Sequence, residues 1–297
     1  MSAPRKKSDV YAAWWFLLPA LLLLAVFVVW PLIRAAGWSL TNADLLAPGA
    51  SRWVGLANYA DALTDKQFRR AFGNTALFAI MVVPVQTAVA FLLALWVNRP
   101  EHPWRWLRGV FFVPVVISMP VLAVLWTMLY QPQQGAEIGL VNAAIQWLGI
   151  PPQSWLRDPG LALPAIAFMS VWQGVGLQMM VFVAGLQSVP RDLLEASRID
   201  GASPIQRVRF VVIPAMRNTL VFVVTVTTIF AFRLFVQPYL MTRGGPGNST
   251  LSLVQLIYQD TFVSQDLGHA CAIAILFLLW VGALTLLQRR WSTEERA

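Results

Sequence analysis

Long stretches without one charged side chain constrain this chain more than any other feature. Val10–Ile33, Ala71–Asn98, Gly109–Gly135, Gly160–Pro190 and Leu267–Gln288 contain no Asp, Glu, Lys or Arg. About 20 consecutive apolar residues suffice to cross the hydrocarbon core of a bilayer as a helix. Composition agrees: 58% of the 297 residues are hydrophobic and 12% are charged, against about 25% charged in soluble domains. So little charge cannot cover a 33.1 kDa globule, and so much apolar side chain excludes intrinsic disorder. Backbone groups in lipid must be bonded internally, which leaves helices or a closed barrel. Barrel strands are ~10-residue alternating segments, whereas these runs are long and apolar all round. The fold class is therefore an all-α integral membrane protein.

Six transmembrane helices are expected, at about 13–34, 75–97, 109–130, 161–186, 214–240 and 267–288, within a membrane domain of 13–290. The fifth is the least regular. Only Asn218–Phe232 is free of charge there, so a full-length span must carry Arg233 inside it. The first run resembles a signal peptide in its Arg5, Lys6, Lys7 start, but it extends to Ile33, beyond an h-region of about 7–15 residues. It reads as an uncleaved span.

Charge placement sets an orientation. With the N-terminus inside, fourteen Lys and Arg fall in inner segments and six in outer ones, the asymmetry of a cytoplasmic-side excess. Residues 1–12 and 291–297 then form cytoplasmic ends, 187–213 is an inner loop, and Gln131–Pro159 and Leu240–Asp266 lie outside. The net charge of +8 also suits nucleic acid, but the basic residues sit in short strips between apolar runs, so no nucleic-acid partner is expected. Membrane lipid is. Cys271 is the only cysteine; it excludes an intrachain disulfide and reads as a small buried hydrophobe.

The inner loop before the fifth span is the most informative stretch. Ser188 is placed to cap a first helix with Pro190 in its first turn, and Gly201 to stop it. Ser203-Pro204-Ile205-Gln206 restarts a second helix with the spacing of a capping box, and Pro214 ends or kinks it. The result is a helix–glycine–helix elbow. It presents Leu193, Leu194, Ala196 and Ile199 beside Glu195, Arg198 and Asp200. By these residues alone it is either a groove-docking surface or an ordinary solvated interfacial loop.

Glu195-Ala196-Ser197, Asp200-Gly201-Ala202, then Phe210 and Ile213-Pro214 resemble the EAA motif. That motif marks permease subunits of binding-protein-dependent ABC importers. Ser197 stands for the usual second alanine, and Val211 and Ile213 for the usual Ile and Leu, with the spacing intact. The resemblance implies the ABC-importer permease fold, with Glu195, Ala196, Ser197, Asp200, Gly201 and Ala202 in a coupling helix that inserts into an ATPase cleft. Phe235 to Pro246, ending Thr242-Arg-Gly-Gly-Pro246, is similar to the segment after span five in carbohydrate permeases of the maltose and glycerophosphate type. Val236 replaces the acid common there. Val54-Gly-Leu-Ala-Asn58-Tyr59 resembles the stretch after their first span.

These resemblances imply a second homologous permease, two copies of an ATP-binding subunit and an extracytoplasmic solute-binding protein, in a bacterial or archaeal cytoplasmic membrane. The solute implied is a sugar or a glycerophosphate-like compound. This chain is not expected to be an enzyme or to bind a cofactor. Its three lysines, Lys6, Lys7 and Lys66, follow no glycine, so no phosphate-cradling G-x-x-x-x-G-K-[ST] loop exists. ATP and Mg²⁺ belong to the partner. The lone histidines, His102 and His269, read as interface residues, and no metal-ligand spacing occurs.

Polar groups inside spans are the candidates for a solute pathway: Gln173, Gln178, Arg233, Gln237 and Tyr239, with Gln86 in the second span. The glutamines suit either sugar recognition or helix bridging. Arg233 is either a pathway residue or a snorkelling interfacial one. The alternative function is a secondary transporter working without ATP. It requires membrane-embedded acids or inverted repeats, and no Asp or Glu lies deep in a span. A membrane enzyme lacks a clustered acid, base or nucleophile.

Overall fold

Each long uncharged run carries helix in the computed structural model, which describes residues 7–47, 49, 51–98, 105–132 and 138–293. His102 and the parts of the terminal segments at 1–6 and 294–297 lie outside the described residues, as do Arg5, Lys6, Arg99 and Arg296. Among the described residues, five helices are long and apolar enough to cross a membrane, or six if one bent pair is a single span. No strand forms among them; only the isolated bridges Thr41 with Trp53 and Asp44 with Asp266 occur. The chain divides into two units, one within residues 1–65 and 257–277, the other within 66–256 and 278–297.

In the first unit, α1 (Lys7–Leu24) runs through a π-helical turn (Ala25–Val29) into α2 (Trp30–Trp38). The π turn precedes Pro31, which has no N–H for a bond one turn back. The Trp30 N–H instead donates to the Ala25 carbonyl. The helix so continues past the proline, and the first span reaches Trp38, beyond the expected 34. None of Trp14–Trp38 is buried. The following turn is held by α3 (Ala57–Thr64). Asn58 Nδ2 donates to the Ser39 and Thr41 carbonyls at 2.9 and 2.8 Å, and the Tyr59 and Ser39 hydroxyls meet at 2.7 Å. His269 Nδ1 lies 2.9 Å from Asp260 Oδ2.

The second unit is built on α4 (Lys66–Val97), which begins nine residues before the expected second span. The third span is not one straight helix over 109–130. It is α5 (Arg105–Val116) and α6 (Met119–Leu129), bent by 97°. Pro120 at the start of α6 removes a donor, and Ser118 is extended at φ −63°, ψ 140°, so the α5 helix cannot continue through the break. The short α7 (Leu140–Trp147) precedes α8 (Ala162–Gln187), which matches the expected fourth span.

Next come α9 (Arg191–Ile199), α10 (Pro204–Arg207), a π turn (Val208–Val212), α11 (Ile213–Ala215) and α12 (Arg217–Phe232). The fifth span is likewise interrupted. α12 stops at Phe232, and α13 (Val236–Met241) resumes after Phe235 at φ −146°, ψ −59°. Last are α14 (Leu253–Phe262) and α15 (Leu267–Thr293); the sixth span falls as expected at 267–288.

Helices α4 and α8 pack along each other around Ala90, Ala94, Met179 and Phe182, all buried, with Val212, Met216 and Val223 closing the cluster from the following segment. Phe91 meets Phe182 edge-on at 5.5 Å. The small residues let backbones approach closely. At Gly176 an added Cβ would fall on the Phe111 carbonyl of α5.

Candidate functional site

The elbow is seated in that cluster. Leu194 and Val208 pack against it, and Val189 is part of it. The first helix is not capped by Ser188. Its N-cap is Pro190 without a side-chain bond, while Ser188 Oγ donates to the Gly185 carbonyl at 2.7 Å, at the end of α8. The Ser188-Val189-Pro190 spacing served the helix before it rather than the one after.

The end of α9 behaves as expected. Gly201 sits at φ +75°, a left-handed conformation that only glycine adopts without cost. Its N–H donates to the Arg198 carbonyl at 3.1 Å and that of Ala202 to the Ser197 carbonyl at 3.0 Å, which is a Schellman stop. The capping box restarts the chain. The Gln206 N–H donates to Ser203 Oγ at 3.3 Å, and the Ser203 N–H donates to Gln206 Oε1 at 2.8 Å. Two hydrogen-bonded devices thus fix the angle between α9 and α10.

Of the expected coupling residues, Glu195, Ala196, Asp200 and Gly201 are exposed, and Ala202 is half-buried. Ser197 is buried, its hydroxyl donating to the Leu194 carbonyl at 2.8 Å. Leu194, expected on the surface, faces the core. Ile199 and Ile205, at 87% and 80% exposure, flank the bend. Ile205 was not singled out by sequence because the capping box claimed its neighbours.

A cavity of about 460 Å³ lies among α4, the α5–α6 break, α8 and α12. Four expected pathway residues, Gln173, Gln178, Arg233 and Gln237, line it together with Gln86. Tyr239 does not; it stacks on Phe235 at 5.2 Å with the rings 21° apart. The cavity also takes Ser170, Thr227 and the rings of Phe78, Phe222 and Phe230. Sequence reasoning missed these because hydroxyls and phenyl rings look like ordinary span residues.

Gln178 is both a bridge and a liner. Its Nε2 donates to Thr227 Oγ1, whose hydroxyl donates on to the Val223 carbonyl at 2.6 Å. Its Oε1, though buried, has no partner among the described residues. Gln86 lies against Gly174, where an added Cβ would strike its amide. Non-helical backbone at membrane depth is tolerated where it lines a cavity; the 233–235 break contributes Arg233 to this lining, and Val115 and Met119 contribute from either side of the 117–118 break. Among the described residues no group of three His, Cys, Asp or Glu gathers.

Residues 86–292 match the family described as binding-protein-dependent transport system inner membrane component. The chain is 34% identical over 280 residues to the probable ABC transporter permease protein YurN of Bacillus subtilis, covering 93% of this chain and 94% of that one. It is 31% identical to the sn-glycerol-3-phosphate transport system permease protein UgpA of Yersinia pestis, covering 92% and 91%. Its fold is that of a chain of a bacterial ABC transporter importing alginate, with a TM-score of 0.82, 98% of each chain covered and 19% identity. The chain belongs to the family of inner membrane components of binding-protein-dependent transport systems. It is a permease subunit and not an ATPase, and the ion-driven secondary transporter falls away as a reading.

Proposed function

We propose that the chain forms, with a second homologous permease, the translocation pathway of an importer for a sugar or glycerophosphate-like solute. A solute-binding protein delivers the solute at the outer face. Two copies of an ATP-binding subunit hydrolyse ATP with Mg²⁺ on the cytoplasmic side, where both termini also lie. The 187–213 loop carries the coupling, through Glu195, Ala196, Asp200 and Gly201, with Ser197 and Ala202 shaping the helix. Gln173, Gln178, Arg233 and Gln237 contact the solute.

The observation that carries this reading is the elbow. It is stiffened at the bend by hydrogen bonds, rooted in the α4–α8 core, and exposed where Ile199, Ile205 and Glu195 stand. A stiff, partly apolar protrusion transmits a push in a way that a solvated loop does not. The uncovered first span supports the second permease, since the 25 residues of Trp14–Trp38, without one buried side chain, leave a whole helix free to pack on another subunit.

The test is Glu195→Lys and Gly201→Ala in the full transporter, measuring solute uptake and the amount of ATP-binding subunit that co-purifies. Both variants should lose most uptake, with co-purification falling at least for Glu195→Lys. Wild-type uptake and wild-type co-purification in both would remove the elbow from the mechanism.

A further inference from the structure

Among the described residues that line the cavity, Arg233 is the only charged side chain. It stands where α12 ends, at φ −78°, ψ 18°, and its guanidinium makes no ion pair or hydrogen bond among the described residues. The other polar liners are amides and hydroxyls, with no carboxylate among them. A cation placed within a span costs about 3 kcal/mol, so it is retained where a water-filled cavity or an anion compensates it. Apolar walls such as Phe78, Phe222 and Phe230 concentrate its field on the cavity. That field draws in negative solutes and repels positive ones.

We propose that this cavity selects an anionic polyol, a solute with several hydroxyls and one phosphate or carboxylate group, and that Arg233 supplies the selection. The guanidinium fork matches either oxyanion in bidentate fashion. The amides of Gln86, Gln173 and Gln237 both donate to and accept from hydroxyls. The buried, unpartnered Gln178 Oε1 is an acceptor awaiting one. A cationic solute finds no counter-charge, and a neutral sugar leaves the guanidinium unpaired. The proposal rests on the reading of the cavity as the translocation pathway.

The experiment places a reporter thiol in the cavity, Gln173→Cys, in a Cys271→Ala background of the full chain co-expressed with its partner subunits in membrane vesicles. Labelling of this chain by a negatively charged sulfonatoethyl and a positively charged trimethylammonioethyl methanethiosulfonate is followed by mass. The ratio of the two rates should favour the anionic reagent. It should fall roughly tenfold in Arg233→Gln, the order that one nearby charge gives in a partly screened site, and recover in Arg233→Lys. Glucose 6-phosphate should slow the labelling more than glucose at equal concentration. A thiol that reacts with both reagents at a ratio indifferent to Arg233→Gln overturns the selection and leaves the pathway standing. A thiol that reacts with neither overturns the pathway reading and the proposal with it. Equal protection by the two sugars, or none, overturns the anionic class. A ratio that collapses in proteoliposomes of the full transporter when phosphatidylglycerol replaces phosphatidylcholine shows that an anionic lipid headgroup neutralises Arg233, which also overturns it.

Discussion

Two glycines hold positions that no other residue fills, for different reasons. Gly201 holds a left-handed backbone with open space around it, so Gly201→Ala meets only backbone strain, roughly 1–2 kcal/mol. The protein should still fold and insert, and the loss should appear as altered susceptibility of the elbow to proteolysis, together with lost coupling. Gly176 is the converse, helical in backbone but pressed on the Phe111 carbonyl. A methyl there must move backbone, which gives way less readily than a side-chain tip. Gly176→Ala should cost about 1–3 kcal/mol by overpacking and lower the thermal unfolding midpoint of the detergent-solubilised chain, whereas Gly282→Ala, with nothing within 4 Å, should leave it unchanged.

Elements were legible in the sequence where charge marked their ends and illegible where proline or a hydrogen bond decided the matter. The helices at spans four and six start within a residue of the expected positions, because Asp158 and Asp266 mark the charge boundary before them, although α15 runs on to Thr293. The 97° bend at Ile117–Ser118 was not seen, since an apolar count does not distinguish a straight helix from two halves around Pro120. The interruption at 233–235 was visible only as a shortage of uncharged residues. Ser188 was misassigned because a serine between two helices can bond to either, and only the geometry shows that it closes α8. Leu194 was read as presented on the surface, whereas the helix phase turns it toward the α4–α8 cluster. The site divided in the same way: amides and the arginine stood out against an apolar background, while Ser170 and Thr227 did not. Another tertiary lock was invisible too. Asn74 Nδ2 donates to the Asn248 and Leu251 carbonyls at 2.8 and 2.9 Å, and Thr75 Oγ1 accepts from the Leu253 N–H at 3.0 Å. These bonds pin the glycine-rich loop to α4. Asn74→Ala leaves two carbonyls to find other partners, at about 1–3 kcal/mol. The 242–252 segment should then gain proteolytic sensitivity and amide exchange, while α8 keeps its protection.

At the scale of the whole molecule, the proposed orientation ties the elbow to its proposed energy source. Fourteen basic residues on one set of loops against six on the other is a large bias, and each Lys or Arg near a span end adds to it. Five of the fourteen, Arg191, Arg198, Arg207, Arg209 and Arg217, lie in or next to the elbow itself. On the orientation proposed above, the loop that looks built for docking is thus also the loop most strongly held on the cytoplasmic side, where ATP is. The glycine-rich loop at 244–247 carries one neighbouring cation, Arg243, and the same orientation puts it on the opposite face. Single cysteines at Asp200 and at Gly247, each in the Cys271→Ala background, make this measurable. A membrane-impermeant maleimide added to sealed right-side-out vesicles should label Gly247→Cys and leave Asp200→Cys untouched until the vesicles are opened. Replacing Arg191, Arg198 and Arg209 together by Gln lowers the excess on that side without reversing it, since eleven still exceed six, so the labelling pattern should persist while coupling to the ATP-binding subunit weakens. Labelling of Asp200→Cys in sealed right-side-out vesicles of the unaltered charge pattern would put the elbow outside, away from ATP, and a coupling role for it would then be untenable.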